Sequence, residues 1–307
     1  MTGNAIIEEA DLHRFARLAA PYLQRVATGG HDPRAARDRP GAGLEFLDLR
    51  DYQAGDDIRH IDWRQTARRQ RPVIRRFRSE AAADWFICVD SSASVGLHAQ
   101  KWAMTIRLAS ALAFTCLFAG HRVAMLIFSD RIKARCDLGR GTHQYPRLLN
   151  LLLAQGADAP SMPRTSILMR SRKKTAPVNH SNLGLCRDFL SGNSNVFVIS
   201  DFLQPDGMRS QLRSIQSSVS STAALQVLAD DEVDVPAMGI TRLQDVESGR
   251  ERQVVMSDQA MSDAGNALQA HSRGLQQDCA GLGIRFTSCK SGQKWQQALL
   301  EHLRVRL

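Results

Sequence analysis

The sequence predicts an α/β protein with a mainly parallel sheet flanked by helices, preceded by an N-terminal extension. Two observations predict this fold class. Short apolar segments alternate with longer segments of helical periodicity from residue 84 onward, and this alternation is typical of parallel sheets covered by helices. Aspartates also follow two of the apolar segments, where such sheets carry their ligand-binding residues.

Composition and length indicate an ordinary folded protein. The chain has 307 residues, 43% of them hydrophobic and 23% charged, which is enough for one large core or two smaller ones. The apolar run 108–120 is too short to cross a bilayer, and the N-terminus turns acidic at Glu8 instead of forming a signal sequence. We therefore expect a cytoplasmic protein without a transmembrane segment. The cysteines form no C-x-x-C pair and lie in apolar patterns, which favours buried free thiols.

The first 80 residues are predicted to form the N-terminal extension. Apolar residues at helical spacing indicate an amphipathic helix over residues 10–28. The Gly-, Pro- and Arg-rich stretch 29–43 indicates a loop, and the alternating segment 44–50 indicates a half-buried strand. We expect residues 1–80 to pack on a main domain formed by residues 81–307.

The main domain is predicted to open with a buried strand over residues 85–89. The elements after it are helix 99–119, strand 121–129, helices 142–153 and 182–190, strand 195–200, helix 208–217 and strand 223–228. Asp90 and Asp201 directly follow two of these strands. Because parallel strands end at the same edge of a sheet, we expect both aspartates at one rim.

The segment Asp90-Ser91-Ser92-Ala93-Ser94 is the most informative motif. It places a carboxylate and the hydroxyl groups of Ser92 and Ser94 at D-x-S-x-S spacing, and such oxygen ligands suit a hard cation such as Mg²⁺. Aspartate and serine are also common helix caps, but Asp201 at a second strand end favours the metal site.

A ligand from a third loop is needed to complete such a site, and two residues are candidates for it. Ser181 lies immediately before the helix that leads to the Asp201 strand, and Thr165 lies in the Arg-, Lys- and Pro-rich stretch 161–179. We favour Ser181 for its position. The basic stretch is interpreted as an unusual insertion.

The Asp90 motif, the later loop hydroxyl and the Ile199-Ser200-Asp201 strand end resemble the metal-ion-dependent adhesion site (MIDAS) of von Willebrand factor type A domains. The resemblance implies a Rossmann-like fold and a site for Mg²⁺ or Mn²⁺ in which the aspartates act mostly through bound water. It also implies that an acidic side chain of a partner completes the coordination. The residues carried over are Asp90, Ser92, Ser94, Ser181 and Asp201.

A longer match lies upstream. The segments Gly41–Phe46 and Arg50–Trp63 resemble the signature of the bacterial domain of unknown function 58 family. That resemblance implies a non-enzymatic adaptor or co-chaperone that works with a MoxR-type AAA+ ATPase and with other von Willebrand type A proteins. The chain contains no P-loop, nucleophile elbow or H-E-x-x-H motif, so no catalytic residue is assigned.

The signature adjoins an arginine cluster, with eight arginines between Arg59 and Arg78 in a chain of net charge +9. One interpretation is a docking face for a partner. Another is a clasp that holds the N-terminal segment on the sheet through buried Tyr52 and Trp63. The residues proposed for the docking face are Arg50, Tyr52, Asp56, Asp57, Arg59, Asp62, Trp63 and Arg68.

Other functions of the cluster stay open as alternatives. Arginines that clamp anions would serve a Mg²⁺-dependent phosphoesterase, with Asp56, Asp57 and Asp62 as a second metal cluster, or a nucleic-acid-binding protein. The sparse aromatic residues and the absence of a nearby base disfavour both. The acidic patch 230–234 is predicted to be a solvated loop, or a contact for the arginines of another copy.

Overall fold

The structure is a computed structural model. It describes residues 7–27, 46–53, 58, 61–77, 82–96, 98–156, 181–204, 207–233, 239–244 and 251–304. The predicted loop 29–43, the insertion 161–179 with Thr165, and the docking residues Asp56, Asp57 and Arg59 lie outside these residues. The chain divides into two compact units, Arg25–Ala83 and Met1–Gln24 with Asp84–Leu307.

The smaller unit contains an antiparallel strand pair and a short helix. Strand β1 (Phe46–Asp51) pairs with β2 (Val73–Phe77), and helix α2 (Trp63–Arg69) lies between them in sequence. Asp62 caps the helix, since its Oδ1 accepts the backbone N–H of Gln65 at 3.1 Å. The predicted strand 44–50 is therefore confirmed for its described part, from Phe46 onward, and its partner β2 is a strand that the sequence did not predict.

The larger unit is built on one sheet. Six of the described strands form it: β3 (Asp84–Asp90), β4 (Arg122–Phe128), β5 (Ile132–Gly139), β6 (Ser194–Ser200), β7 (Ser221–Leu228) and a last strand, Arg285–Lys290. A separate hairpin consists of β8 (Gly239–Gln244) and β9 (Glu251–Met256), so the last strand is β10. The sheet order is β10-β7-β6-β3-β4-β5.

The sheet is mainly parallel, as the sequence predicted. Each neighbouring pair is parallel except β4 and β5. Strands β3, β4 and β6 are buried along nearly their whole length, which explains their continuous apolar sequences. The sequence did not predict strand β5, because β5 is an edge strand in which partly buried and exposed residues alternate and only Cys136 is fully buried.

Helices flank this sheet. Besides α2, the α-helices of the described residues are α1 (Glu9–Ala27), α3 (Ala93–Gly96), α4 (Ala99–Phe118), α5 (Gln144–Gly156), α6 (Met208–Gln216), α7 (Asp230–Val233), α8 (Asp258–Gly281) and α9 (Trp295–Arg304). Two predictions need correction. The segment 182–190 forms a 3₁₀ helix, Leu183–Phe189, instead of an α-helix, and α5 begins at Gln144, two residues after the predicted Thr142.

Helix α1 is amphipathic, as predicted. Leu12, Phe15 and Leu23 are buried, and the ring of Phe15 meets that of Trp295 edge-on at 5.2 Å between centroids. The part of α1 up to Gln24 therefore belongs to the sheet unit. All six cysteines are buried and free, which confirms the prediction from their apolar surroundings.

Helix α4 is a core helix of the larger unit. Among the described residues it is the one helix long and apolar enough to span a bilayer, but 72% of its most apolar stretch is buried inside the protein. A buried core helix meets the same criteria of length and composition. Lys101 in its first turn is completely buried despite its charge.

Candidate metal-binding rim

The pairing of β3 with β6 brings the predicted site residues together. Val89 pairs with Ile199 in parallel register, so Asp90 and Ser200 come next on adjacent strands and Asp201 follows. All three side chains are buried, with Asp90 at 1% exposure. We call Asp90, Ser92, Ser94, Ser181, Ser200 and Asp201 the rim.

Asp90 is the centre of the rim. Its Oδ1 accepts the backbone N–H of Ser92 at 2.8 Å. Its Oδ2 accepts two hydroxyl groups, from Ser181 at 3.0 Å and from Ser200 at 2.6 Å. The carboxylate of Asp90 is therefore held by its own loop and by two segments distant in sequence.

The serines of the D-x-S-x-S motif lie at the start of α3. The hydroxyl oxygens of Ser92 and Ser94 are 3.1 Å apart, and the carbonyl of Ser92 accepts the N–H of Gly96, which begins the helical turn. The N–H of Ser91 donates to the carbonyl of Phe128 on β4 at 2.8 Å. The motif is thus both a helix start and a group of converging oxygens.

Ser181 reaches Asp90 because its loop is tied to the sheet. The N–H of Asn182 donates to the carbonyl of Ser129 at 2.7 Å, and the side chain of Asn182 accepts the N–H of Gly184 at the start of the 3₁₀ helix. Leu183 is held in turn by Gln211 of α6 at 2.8 Å. These contacts agree with the choice of Ser181 by position, although its role as a ligand stays a prediction.

The environment of Asp90 disfavours its ionised form. Burial, and next the negative charge of Asp201, raise the pKa of the Asp90 carboxyl from 3.8 to about 6, against the opposing effect of the hydrogen bonds from Ser200 and Ser92. None of the described residues forms a salt bridge with Asp90. A carboxylate held in this way is only partly compensated by its hydrogen bonds.

The negative charge of Asp201, unlike that of Asp90, is paired with a positive charge. Nζ of Lys101 lies 2.9 Å from its Oδ2, and the side chains are 0% and 4% exposed. Oδ1 accepts the N–H of Leu203 at 3.2 Å, and the carbonyl of Asp201 accepts from the amide of Gln226 at 2.9 Å. Direct ligation of a cation by Asp201 would therefore compete with Lys101.

Lys101 also holds Glu232 of α7, with Nζ–O distances of 2.8 and 3.0 Å. The prediction that the acidic patch is a solvated loop is therefore wrong for Glu232, whose side chain is only 20% exposed. Sequence analysis missed both Lys101 and Glu232. The available signal was a lysine in the first turn of a mainly apolar helix, which needs a counter-charge if it is buried.

The chain turns sharply directly after Asp201. Phe202 has a φ of 52°, a left-handed conformation that is uncommon for a bulky residue. Its N–H donates to Oγ of Ser200 at 3.0 Å, and its carbonyl lies 2.7 Å from Nε2 of His271. This strained turn therefore lies directly after Asp201, the partner of Lys101. Backbone strain of this kind is concentrated at functional sites.

The donor set of the rim fits a hard cation. Carboxylate and hydroxyl oxygens from Asp90, Ser92, Ser94 and Ser181 gather at one sheet edge, and Mg²⁺ and Mn²⁺ prefer such ligands together with water. In the described part of the chain, no three His, Cys, Asp or Glu side chains form a metal-binding group. A cation here would depend on hydroxyl groups and water as much as on carboxylates.

The described docking residues lie in the smaller unit. Trp63 is 69% exposed, which contradicts the clasp interpretation for this residue. Tyr52 is half-buried, and Arg68 is exposed on α2. Arg50 donates to the carbonyl of Asp51 at 3.2 Å. Asp62 is buried as the cap of α2, so its role is at least partly structural.

The fold and the rim define a mixed α/β protein whose mainly parallel sheet gathers buried aspartates and serines at the carboxyl end of its central strands. The sequence pattern of the family described as "Protein of unknown function DUF58" matches residues 48–274. The chain therefore belongs to the DUF58 family, as its upstream signature predicted.

Similar proteins are known from mycobacteria. The uncharacterized protein Rv1480 of Mycobacterium tuberculosis is 27% identical over 260 residues, which cover 83% of this chain and 77% of the relative. The uncharacterized protein Mb1516 of Mycobacterium bovis matches to the same extent. These relatives support a bacterial family and name no activity.

Solved structures give weaker likenesses. The conserved hypothetical protein BatB from Bacteroides thetaiotaomicron matches with a TM-score of 0.41 and 14% identity, over 72% of this chain and 97% of that one. An aerotolerance-related membrane protein from Bacteroides fragilis matches with a TM-score of 0.39 and 15% identity, over 72% of this chain and 98% of that one. Likenesses of this size carry no functional inference.

Proposed function

We propose that this protein is a non-enzymatic, metal-dependent protein-interaction module of the von Willebrand factor type A kind. The rim would bind Mg²⁺ or Mn²⁺, and an acidic side chain of a partner would complete the coordination. The observation that carries the proposal is the convergence of Ser92, Ser181 and Ser200 on the buried carboxylate of Asp90.

The chemistry of that convergence supports recognition of a cation. Three hydrogen bonds orient Asp90 but supply no full positive charge, so a buried carboxylate remains that a cation would stabilise. In a rim loaded with a cation, Ser92, Ser94 and Ser181 would turn hydroxyl oxygens toward the ion, and Asp90 and Asp201 would act through bound water. Mg²⁺ retains several waters in proteins, which leaves a position for a partner's carboxylate.

The proposed partner is a MoxR-type AAA+ ATPase, with other von Willebrand type A proteins as further partners. This part of the proposal is supported by the resemblance of the Arg50–Trp63 segment and by membership of the DUF58 family. We propose the cytoplasm as the compartment and an adaptor or co-chaperone as the role. Exposed Trp63 and Arg68 would form part of a second contact with the partner.

The test is affinity capture from a lysate of the organism that makes the protein. The native chain and Asp90→Ala are used as baits, each with Mg²⁺ or with excess EDTA, and Ser217→Ala serves as a matched surface control. We expect a MoxR-type ATPase, identified by mass spectrometry, to be retained by native bait and control with Mg²⁺ only. Equal retention in EDTA, or by Asp90→Ala, would contradict the proposal.

A further inference from the structure

Lys101 is a fully buried cation within hydrogen-bonding distance of two carboxylates. Its Nζ lies 2.9 Å from Oδ2 of Asp201 and 2.8 and 3.0 Å from the carboxylate oxygens of Glu232. Its side chain is 0% exposed. A lysine is almost never buried to this extent unless it is paired, because desolvation of the ammonium group is costly.

Lys101 and its two partners come from three different elements. Lys101 comes from the first turn of α4, Asp201 from the end of β6, and Glu232 from α7. The carboxylate of Glu232 also accepts the N–H of Ala229 at 2.8 Å, so it is held by a backbone group as well as by Lys101. The group is therefore assembled from protein side chains alone.

The charge of this group reaches Asp90. Asp201, which pairs with Lys101 at 2.9 Å, directly follows Ser200, whose hydroxyl group donates to Oδ2 of Asp90 at 2.6 Å. Asp201 and Glu232 contribute two negative charges and Lys101 one positive charge, so these three groups together carry a net negative charge. On its far side Glu232 also lies 3.8 Å from Nε2 of His98, whose Nδ1 lies 3.6 Å from Asp231. Any change in that balance alters the potential that a divalent cation meets at the rim.

We propose that Lys101 is a positioning residue whose fixed charge lowers the affinity of the rim for a divalent cation. It occupies Asp201 in the metal-free protein and offsets negative charge that would otherwise attract the ion. The cation then binds weakly on its own, and an added carboxylate from a partner strengthens its binding. This inference rests on the proposed function, because it presumes a cation at the rim.

The competing interpretation is that Lys101 only stabilises the fold. Replacement of Lys101 would then lower stability and leave cation affinity unchanged. The two interpretations differ in a measurement of metal binding, which a purely structural ion pair does not affect.

The experiment is a titration with Mn²⁺, in which free Mn²⁺ is counted by electron paramagnetic resonance. It compares the native chain with Lys101→Met, Glu232→Gln and the exposed-lysine control Lys294→Met. We expect Lys101→Met to bind Mn²⁺ at least about tenfold more tightly, and Glu232→Gln, which removes a negative charge but keeps the pair of Lys101 with Asp201, at least about threefold more weakly. Lys294→Met should match the native chain.

The outcomes separate this inference from the proposed function. If Lys101→Met does not fold, Glu232→Gln decides alone, and unchanged affinity in that variant overturns the inference. If the native chain binds Mn²⁺ and neither variant changes the affinity, Lys101 is structural and the proposed function stands. If no form binds Mn²⁺, both proposals fall.

Discussion

Oγ of Ser200 lies 2.6 Å from Oδ2 of Asp90, at the ends of two adjacent strands. Oγ of Ser200 also accepts the N–H of Phe202 at 3.0 Å. One hydroxyl group therefore compensates the buried carboxylate and also closes the strained turn after Asp201. Ser200 therefore links the carboxylate of Asp90 to the backbone of Phe202.

Replacement of Ser200 by alanine tests this double role. We expect Ser200→Ala to lower the free energy of unfolding by about 1–3 kcal/mol, because a buried acceptor and a buried N–H each lose a partner. Urea denaturation measures the change. Ser217 donates to the carbonyl of Ser214 in an exposed position, so Ser217→Ala should stay within about 0.5 kcal/mol of the native chain. Equal effects of the two replacements would show that Ser200 has no special role.

Trp63 and Asp62 are neighbours with different expected roles. Trp63 is 69% exposed, so Trp63→Ala should change the free energy of unfolding by less than about 0.5 kcal/mol while it weakens capture of the partner. Asp62→Ala removes a helix cap and should cost about 1 kcal/mol. Urea denaturation and the capture assay, applied to both variants, check this. Unchanged capture by Trp63→Ala would remove this residue from the docking face.

His302 makes stability depend on pH. Burial, and next the charge of Arg285, lower the pKa of His302 from 6.5 to about 3, and its Nδ1 lies 2.9 Å from Oγ1 of Thr287. Between these pH values the unfolded chain binds a proton that the folded chain excludes. The contribution of His302 is therefore fully present above about pH 6.5 and is lost as the pH falls toward 3.

The corresponding measurement compares urea denaturation at pH 7 and pH 5. The native chain should lose about 2 kcal/mol more over this interval than His302→Gln, since one excluded proton is worth about 1.4 kcal/mol per pH unit. The exposed residue His143 provides the control, and His143→Gln should keep the native pH dependence. If the free energy of unfolding of His302→Gln depended on pH as that of the native chain does, His302 would not be held neutral in the folded protein.

Much of the sheet was predictable because its strands are buried on both faces. Continuous apolar segments such as 85–89 and 195–200 leave little choice of element, and aspartates at their ends mark the carboxyl edge. Edge strand β5 was not predictable from the same rule, because one of its faces is accessible and its sequence alternates. The hydrophobic pattern identifies buried strands better than edge strands.

The position of the rim was predictable, but its ion pair with Lys101 was not. The D-x-S-x-S spacing and the strand end indicated Asp90 and Asp201, but the pairing of Lys101 with Asp201 joins residues 100 positions apart. Such a contact depends on how α4 packs on the sheet, which sequence periodicity does not give. Similarly, the exposure of Trp63 could not be read from its residue type, because tryptophan is usually buried in large part.

The central claim is that the rim binds a divalent cation through Asp90, and isothermal titration with Mg²⁺ tests it most directly. Asparagine is nearly isosteric with aspartate, and the hydroxyls of Ser181 and Ser200 can reverse to accept from its amide, so Asp90→Asn should fold. We predict that the native chain binds one Mg²⁺ and that Asp90→Asn binds none. Absence of binding by the native chain, or equal binding by Asp90→Asn, would contradict the claim.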